Sequence, residues 1–248
     1  MKTLQRTRAA FTAFGLITPI VPAMAADPGP YVPVVVPAWT VPVYDWNGFY
    51  VGAHVGGAFE QRNINTGDLA TTTGSDSSFV GGGQVGVNFA LWPHWMVGME
   101  ADITGAFLHG SDVASNGLGT VVQNDYKTET FGTARGRTGY IWNNWLIYVT
   151  GGYAWAYQHI TRNQVAGTIG TAAPGAVESE FATATGWVVG GGLEWGFAPH
   201  WSARLEYLHL DVGPQTFSFP ASGVNRNVES TIDVVRAGLN YKFNPAGP

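Results

Sequence analysis

Eight charged residues carry the chemistry this chain could perform. Glu100, Asp102, Glu194 and Glu206 are acids, and Arg135, Arg137, Arg204 and Arg236 are bases. Each sits inside a stretch that otherwise alternates large apolar residues with small ones. Glu100 with Asp102, or Glu194 with Glu206, could be read as a general acid–base pair. Four arginines in matching segments can neutralise all four acids, so a structural ion network is the better reading. Arg135 and Arg137 are expected to meet Glu100 and Asp102 across adjoining strands. No G-x-S-x-G motif and no Ser/His/Asp order appears. The chain has no cysteine, so it has neither a thiolate metal site nor a disulfide. The six histidines are scattered, without HxH or HExxH spacing. His94 and His200 lie in turns beside tryptophan. His109, His159 and His209 lie near loop ends, where imidazole could meet haem or a metal ion. No catalytic residue, cofactor-binding residue, metal ligand or cofactor is assigned.

The elements that must position these charges read as strands. In GFYVGAHVGGAFE (48–60), Phe49, Val51, Val55 and Phe59 alternate with Tyr50, Gly52, His54 and Glu60. That is a period of two, not a phosphate loop between a strand and a helix. The same alternation recurs seven more times. Trp95, Val97, Met99, Ala101 and Ile103 oppose Glu100 and Asp102. Arg135 and Arg137 share one face, and Phe131 falls on it out of step, which points to a bulge. Trp187, Val189, Leu193 and Trp195 oppose Glu194; Trp201, Ala203, Leu205 and Tyr207 oppose Arg204 and Glu206; Val235, Ala237, Leu239, Tyr241 and Phe243 oppose Arg236. The strands are read as about 11 to 14 residues long, against about 5 to 6 in soluble sheets. Connections alternate between turns at Pro93-His94, Asn143-Asn144 and Pro199-His200 and four long polar loops, near 61–78, 111–125, 159–180 and 211–230. Turn segments WPHWMVGME (92–100) and APHWSARLE (198–206) echo one another.

Composition decides which face meets what. Charged residues make up 12% of the chain and aromatics 13%, with 34 glycines. The start, MKTLQRTRAAFTAFGLITPIVPAMAA, has a basic end, an apolar run and an Ala23-Met24-Ala25 cleavage pattern, so residues 1–25 are read as a secretory signal peptide. Lys2, Arg6 and Arg8 leave with it, and the 12 Lys+Arg fall to nine against 17 Asp+Glu. An acidic product argues against nucleic acid as a partner. Residues 26–45, rich in proline, are read as an extended linker. Beyond them no apolar run is long enough for a transmembrane helix. Alternating long and short connections, long strands and balanced charges on a face of small residues fit a closed membrane barrel, not a soluble sandwich. Trp92, Trp95, Trp142, Trp145, Trp195 and Trp201 all flank the short turns, as an interfacial aromatic girdle would. The expected fold is all-β: an eight-stranded antiparallel up-and-down transmembrane β-barrel over 46–243, preceded by the signal peptide and Pro-rich linker and followed by a short tail, 244–248.

The segments WNGFYVGAHVGG (46–57), TARGRTGY (133–140), TGWVVGGGLEW (185–195), ARLEYLHLDVG (203–213) and VVRAGLNYKF (234–243) resemble the small outer-membrane β-barrel proteins of alphaproteobacteria, the porin-like outer-membrane immunogens. Such barrels usually end on an aromatic residue; here Phe243 is followed by NPAGP. The resemblance implies a cell outer-membrane location and a non-enzymatic, structural role in the envelope with displayed loops. The alternatives are a small-solute porin and a surface haemin-binding protein or adhesin. Expected partners are outer-membrane lipid, lipopolysaccharide and the barrel-assembly machinery, and a homo-oligomer is left open.

Overall fold

The computed structural model describes residues 43–65, 72–115 and 119–243. The signal peptide (1–25), most of the Pro-rich linker and the tail (244–248) lie outside the described residues. Eight antiparallel strands run in chain order: β1 (Gly48–Asn65), β2 (Thr72–Trp92), β3 (Trp95–Ser115), β4 (Val121–Trp142), β5 (Trp145–Ala166), β6 (Val177–Ala198), β7 (Trp201–Phe219) and β8 (Val224–Phe243). Each pairs with its neighbours in sequence, and β8 returns to pair with β1, closing the barrel. Closure leaves no open edge, which is the condition for crossing a bilayer with strands.

The alternation places side chains as the sequence pattern requires. Phe49, Val51, Val55 and Phe59 stand out from the wall, while His54 and Glu60 turn inward and are buried. On β4 the inward set changes parity. Asn124, Tyr126 and Thr128 point in, and beyond the irregularity between Thr128 and Thr130 so do Phe131, Thr133, Arg135 and Arg137. Phe131 shares the arginine side because one extra residue there shifts the face.

The strands are longer than the alternation predicts, at 18 to 22 residues. The polar runs read as loops are largely ladder: Gln61 pairs with Ser75, Ser111 with Asp125, and Phe219 with Val224. What remains between strands is 66–71, 116–120, 167–176 and 220–223. The physical reason lies above the apolar band, where the outer wall meets water. Polar side chains cost nothing there, while the backbone still gains its cross-strand hydrogen bonds. The three turns at the other end are two residues each. Asn143 takes φ 52°, a left-handed conformation that asparagine tolerates.

The echoed segments repeat in three dimensions. The His94 ring stacks on Tyr140 at 5.5 Å, and the Ile141 amide donates to the His94 carbonyl at 2.7 Å. Correspondingly, His200 stacks on Tyr241 at 5.7 Å, and the Lys242 amide donates to the His200 carbonyl at 2.8 Å.

Candidate functional site

The interior of the barrel gathers all eight charged residues into one layer. Glu100 and Asp102 come from β3, Arg135 and Arg137 from β4, Glu194 from β6, Arg204 and Glu206 from β7 and Arg236 from β8. None is more than 4% exposed. Arg135 is the hub: it ion-pairs with Glu100, with Asp102 at 3.1 Å and with Glu206 at 3.0 Å. Arg236 donates to both oxygens of Asp102 at 3.2 Å and to Glu206 at 2.7 Å. Arg204 donates to Glu100 at 2.5 Å. Arg137 donates to Glu194 at 2.7 Å and contacts Glu100 at 3.3 Å.

One expected pair is not made. Arg137 does not meet Asp102; it reaches past β5 to Glu194 on β6. The second arginine of Asp102 is Arg236 on β8. An eight-stranded barrel is narrow enough for a guanidinium to reach beyond the adjacent strand, and Arg204 on β7 meets Glu100 on the opposite wall, so neighbours in sequence order are not the only partners.

Neutral donors complete the carboxylates. Tyr50 donates to Glu100 at 2.5 Å, Tyr148 to Glu206 at 2.9 Å and Thr133 to Asp102 at 2.5 Å. Ser202 and Asn240 both donate to the same oxygen of Glu194, at 2.5 and 2.8 Å. The Arg137 guanidinium also lies 4.5 Å from the ring centre of Tyr148. Burying a carboxylate costs several kcal/mol unless its lone pairs are met, and arginine's fork of donors meets them best. These long side chains fit because the wall between them is glycine. A Cβ at Gly86 would fall inside the phenol of Tyr50. His54 is also engaged, by Gln84 at 2.6 Å and Thr104 at 2.9 Å.

Other layers fill the lumen above and below. Above the charges lies an apolar layer that includes Ala58, Leu108, Phe131, Ala156, Leu208, Leu210, Ile232 and Val234. Beyond it, Glu60 accepts from Arg62 at 2.8 Å and from Ser230 at 2.7 Å. Furthest out, Tyr126, Ile160, Phe217, Phe219 and Val228 pack together.

At the short-turn end, two residues of the segment before β1 turn back into the barrel mouth. Tyr44 is 6% exposed and Trp46 3%, packed with Met96, Ile141, Leu146 and Tyr148. The Tyr44 amide donates to Asn144 Oδ1 at 3.0 Å. Its ring rests on Gly196, where a Cβ would collide with it, and the Lys242 ammonium lies 4.9 Å from the ring centre. Burial pushes the Tyr44 phenol up to about 12. For Asp45, burial pulls its carboxyl upward, but hydrogen bonds from Asn47 and the Lys242 ammonium outweigh it and hold the group below the usual range. Sequence reasoning missed this plug. The one available signal was two aromatic residues placed between the prolines and the first strand.

The outer wall carries an aromatic belt at its short-turn end. Trp92, Trp95, Trp142, Trp145, Trp195 and Trp201 all face outward beside the short turns, 43% to 64% exposed. Trp145 stacks on Trp195 at 5.9 Å. Farther from the short turns the outer wall also exposes Tyr153, Tyr157, Phe181, Trp187 and Tyr207. An aromatic belt bordering an outward-facing apolar wall is the profile of a bilayer-spanning barrel.

Comparison with known proteins agrees with that profile. The sequence profile of the outer membrane protein beta-barrel domain matches residues 16–243. The 31 kDa outer-membrane immunogenic protein of Brucella melitensis is 33% identical over 239 residues, covering 89% of this chain and 93% of that protein. The 22 kDa outer membrane protein of Rhizobium leguminosarum bv. viciae is 29% identical over 205 residues, covering 82% and 80%. Among solved structures, the outer membrane protein OprG from Pseudomonas aeruginosa aligns over 81% of this chain and 99% of its own, at 11% identity and a TM-score of 0.44. With a profile match across the whole barrel and an alphaproteobacterial relative at this identity, the chain belongs to the outer membrane protein beta-barrel domain family and is a protein of the outer membrane.

Proposed function

We propose that the protein is a closed, non-enzymatic barrel that contributes to envelope integrity and displays its longer connections at the cell surface. The observation that carries this reading is the filled lumen. The Tyr44–Trp46 plug, the ion network, the apolar layer and the outer aromatic cluster succeed one another along the axis. A solute path would have to cross all four, which disfavours the porin alternative. The interior carboxylates are each held by arginine or by several neutral donors, which leaves none poised to act as an acid or base. The name of the Brucella relative, an immunogenic protein, supports surface display of the connections at the long-loop end.

On this reading residues 1–25 direct export and are removed, the assembly machinery inserts the barrel, and lipid and lipopolysaccharide surround it. The test has two arms. Refolded barrel in planar bilayers should give no steady conductance, and a deletion strain should leak periplasmic enzyme. Reproducible channels of nanosiemens order would favour a porin instead. An intact envelope in the deletion strain would remove the structural role.

A further inference from the structure

Lys127 differs from the other basic side chains described in the barrel. Arg62, Arg135, Arg137, Arg162, Arg204, Arg236 and Lys242 are buried, each at 4% exposure or less. Lys127 is exposed on the outer wall of β4 and forms no ion pair with a described residue. An ammonium facing the apolar band would be costly, so its height on the wall matters. At about 3.3 Å per residue and a tilt near 40°, Lys127 lies about 35 to 40 Å along the axis from Trp142 at the short-turn end. The apolar band is about 25 Å tall, and the bilayer with headgroups about 40 to 45 Å. Lys127 therefore stands beyond the apolar band, at the level of the outer headgroups.

The strand register sets an imidazole directly across from it on each side. His109 on β3 and His159 on β5 are its two cross-strand partners. Next in the row is Phe181, whose ring stacks on His159 at 4.1 Å and 9°. The row above brings Ser111, Thr161 and Ser179 into line with Asp125. Asp125 and Glu129 share this face of β4 with Lys127, one on either side of it.

We propose that Lys127, His109 and His159 form a binding site for the phosphate of an outer-leaflet glycolipid. The ammonium supplies the charge, and the two imidazoles supply hydrogen-bond donors in the same row. Outward aromatic residues nearer the short turns, such as Tyr153 and Trp187, lie at the depth of the acyl chains, and the hydroxyl row above meets the sugar. The site opens sideways into the leaflet, which favours a membrane-resident phosphate over a free one. It deepens the structural reading by naming one lipid contact through which the barrel would tie into its leaflet. It rests on that reading's orientation, with the longer connections outward.

The experiment uses the full chain refolded in detergent, with folding of each variant checked by heat-modifiable gel mobility. Purified diphosphoryl lipid A, the same lipid with its phosphates removed, and inorganic phosphate are titrated in turn. Diphosphoryl lipid A should bind about tenfold more tightly than the phosphate-free lipid, and Lys127→Ala should abolish that difference. Asp125→Asn with Glu129→Gln should tighten binding several-fold, a gain that misfolding cannot mimic. The proposal is overturned if Lys127→Ala binds diphosphoryl lipid A as the parent does, if the phosphate-free lipid binds equally, or if removing the flanking acids leaves affinity unchanged. Inorganic phosphate binding as tightly as the lipid would overturn the lipid as the ligand. Labelling of the Gly170→Cys variant from outside intact cells tests the orientation separately, so a failed orientation and a failed site are distinguishable.

Discussion

Two halves of one stretch of the lumen, below the Glu60–Arg62 pair, are filled by opposite chemistry. On β7, Arg204 and Glu206 are followed one inward step higher by Leu208 and Leu210. On β8, Arg236 gives way to Val234 and Ile232. The register aligns the change, since Glu206 faces Arg236 while Leu208 faces Val234 and Leu210 faces Ile232. Below the boundary, long polar side chains span a wall rich in glycine. Above it, branched aliphatic residues meet a wall of alanine such as Ala58, Ala106, Ala154 and Ala184. Both halves close the barrel to solutes, yet they fail in different ways. The energy of the lower half is shared among partners on five strands, so removing one group strands charges elsewhere. In the upper half a lost side chain leaves a cavity where it stood.

The largest effect is expected at the hub. Arg135→Ala deprives Glu100, Asp102 and Glu206 of a counter-charge together and should cost about 3 to 5 kcal/mol, read from the unfolding midpoint of refolded barrel in detergent. An unchanged midpoint would mean that water screens the lower half, and the contrast between the halves would fall. In the upper half, Leu208→Ala should cost about 2 to 4 kcal/mol, with the ion network undisturbed.

The third prediction concerns coupling. Arg137→Ala should destabilise the barrel, and adding Glu194→Gln should recover about 1 to 2 kcal/mol, because the stranded charge is then gone. Asp102→Asn should bring no such recovery, since Asp102 is held by Arg135 and Arg236. Recovery with Asp102→Asn instead would place the pairing between neighbouring strands and refute the Arg137–Glu194 contact.

The smallest effect is expected at the short-turn mouth. Gly196→Ala should displace the Tyr44 ring at a cost of about 1 to 2 kcal/mol. Adding Tyr44→Ala to that variant should cost little more, because the ring has already left. Additive losses would show that the Cβ strains the strand and not the plug.

Much of this architecture was legible from residue order. The period of two assigned nearly every inward and outward side chain, and the out-of-step Phe131 located the bulge on β4. The turns at Pro93-His94, Asn143-Asn144 and Pro199-His200 were readable from abrupt breaks between apolar runs. The loops were not: Gln61 and Ser75 look like loop residues, and only their partners across the ladder make them strand. The eight charges were recognisable as inward-facing, but not who holds whom.

What the sequence determined by itself is local: which side chains share a face, where strands turn, and which wall is apolar enough for lipid. That follows from backbone geometry, which repeats every two residues whatever the chain does elsewhere. Only the tertiary structure decided that Arg137 reaches Glu194, that Tyr44 folds back over Gly196, and that His109, Lys127 and His159 form one row. Those contacts depend on the closure of β8 onto β1, on the radius that closure imposes and on the register of each strand pair. They are properties of the whole barrel, and no segment of the chain encodes them alone.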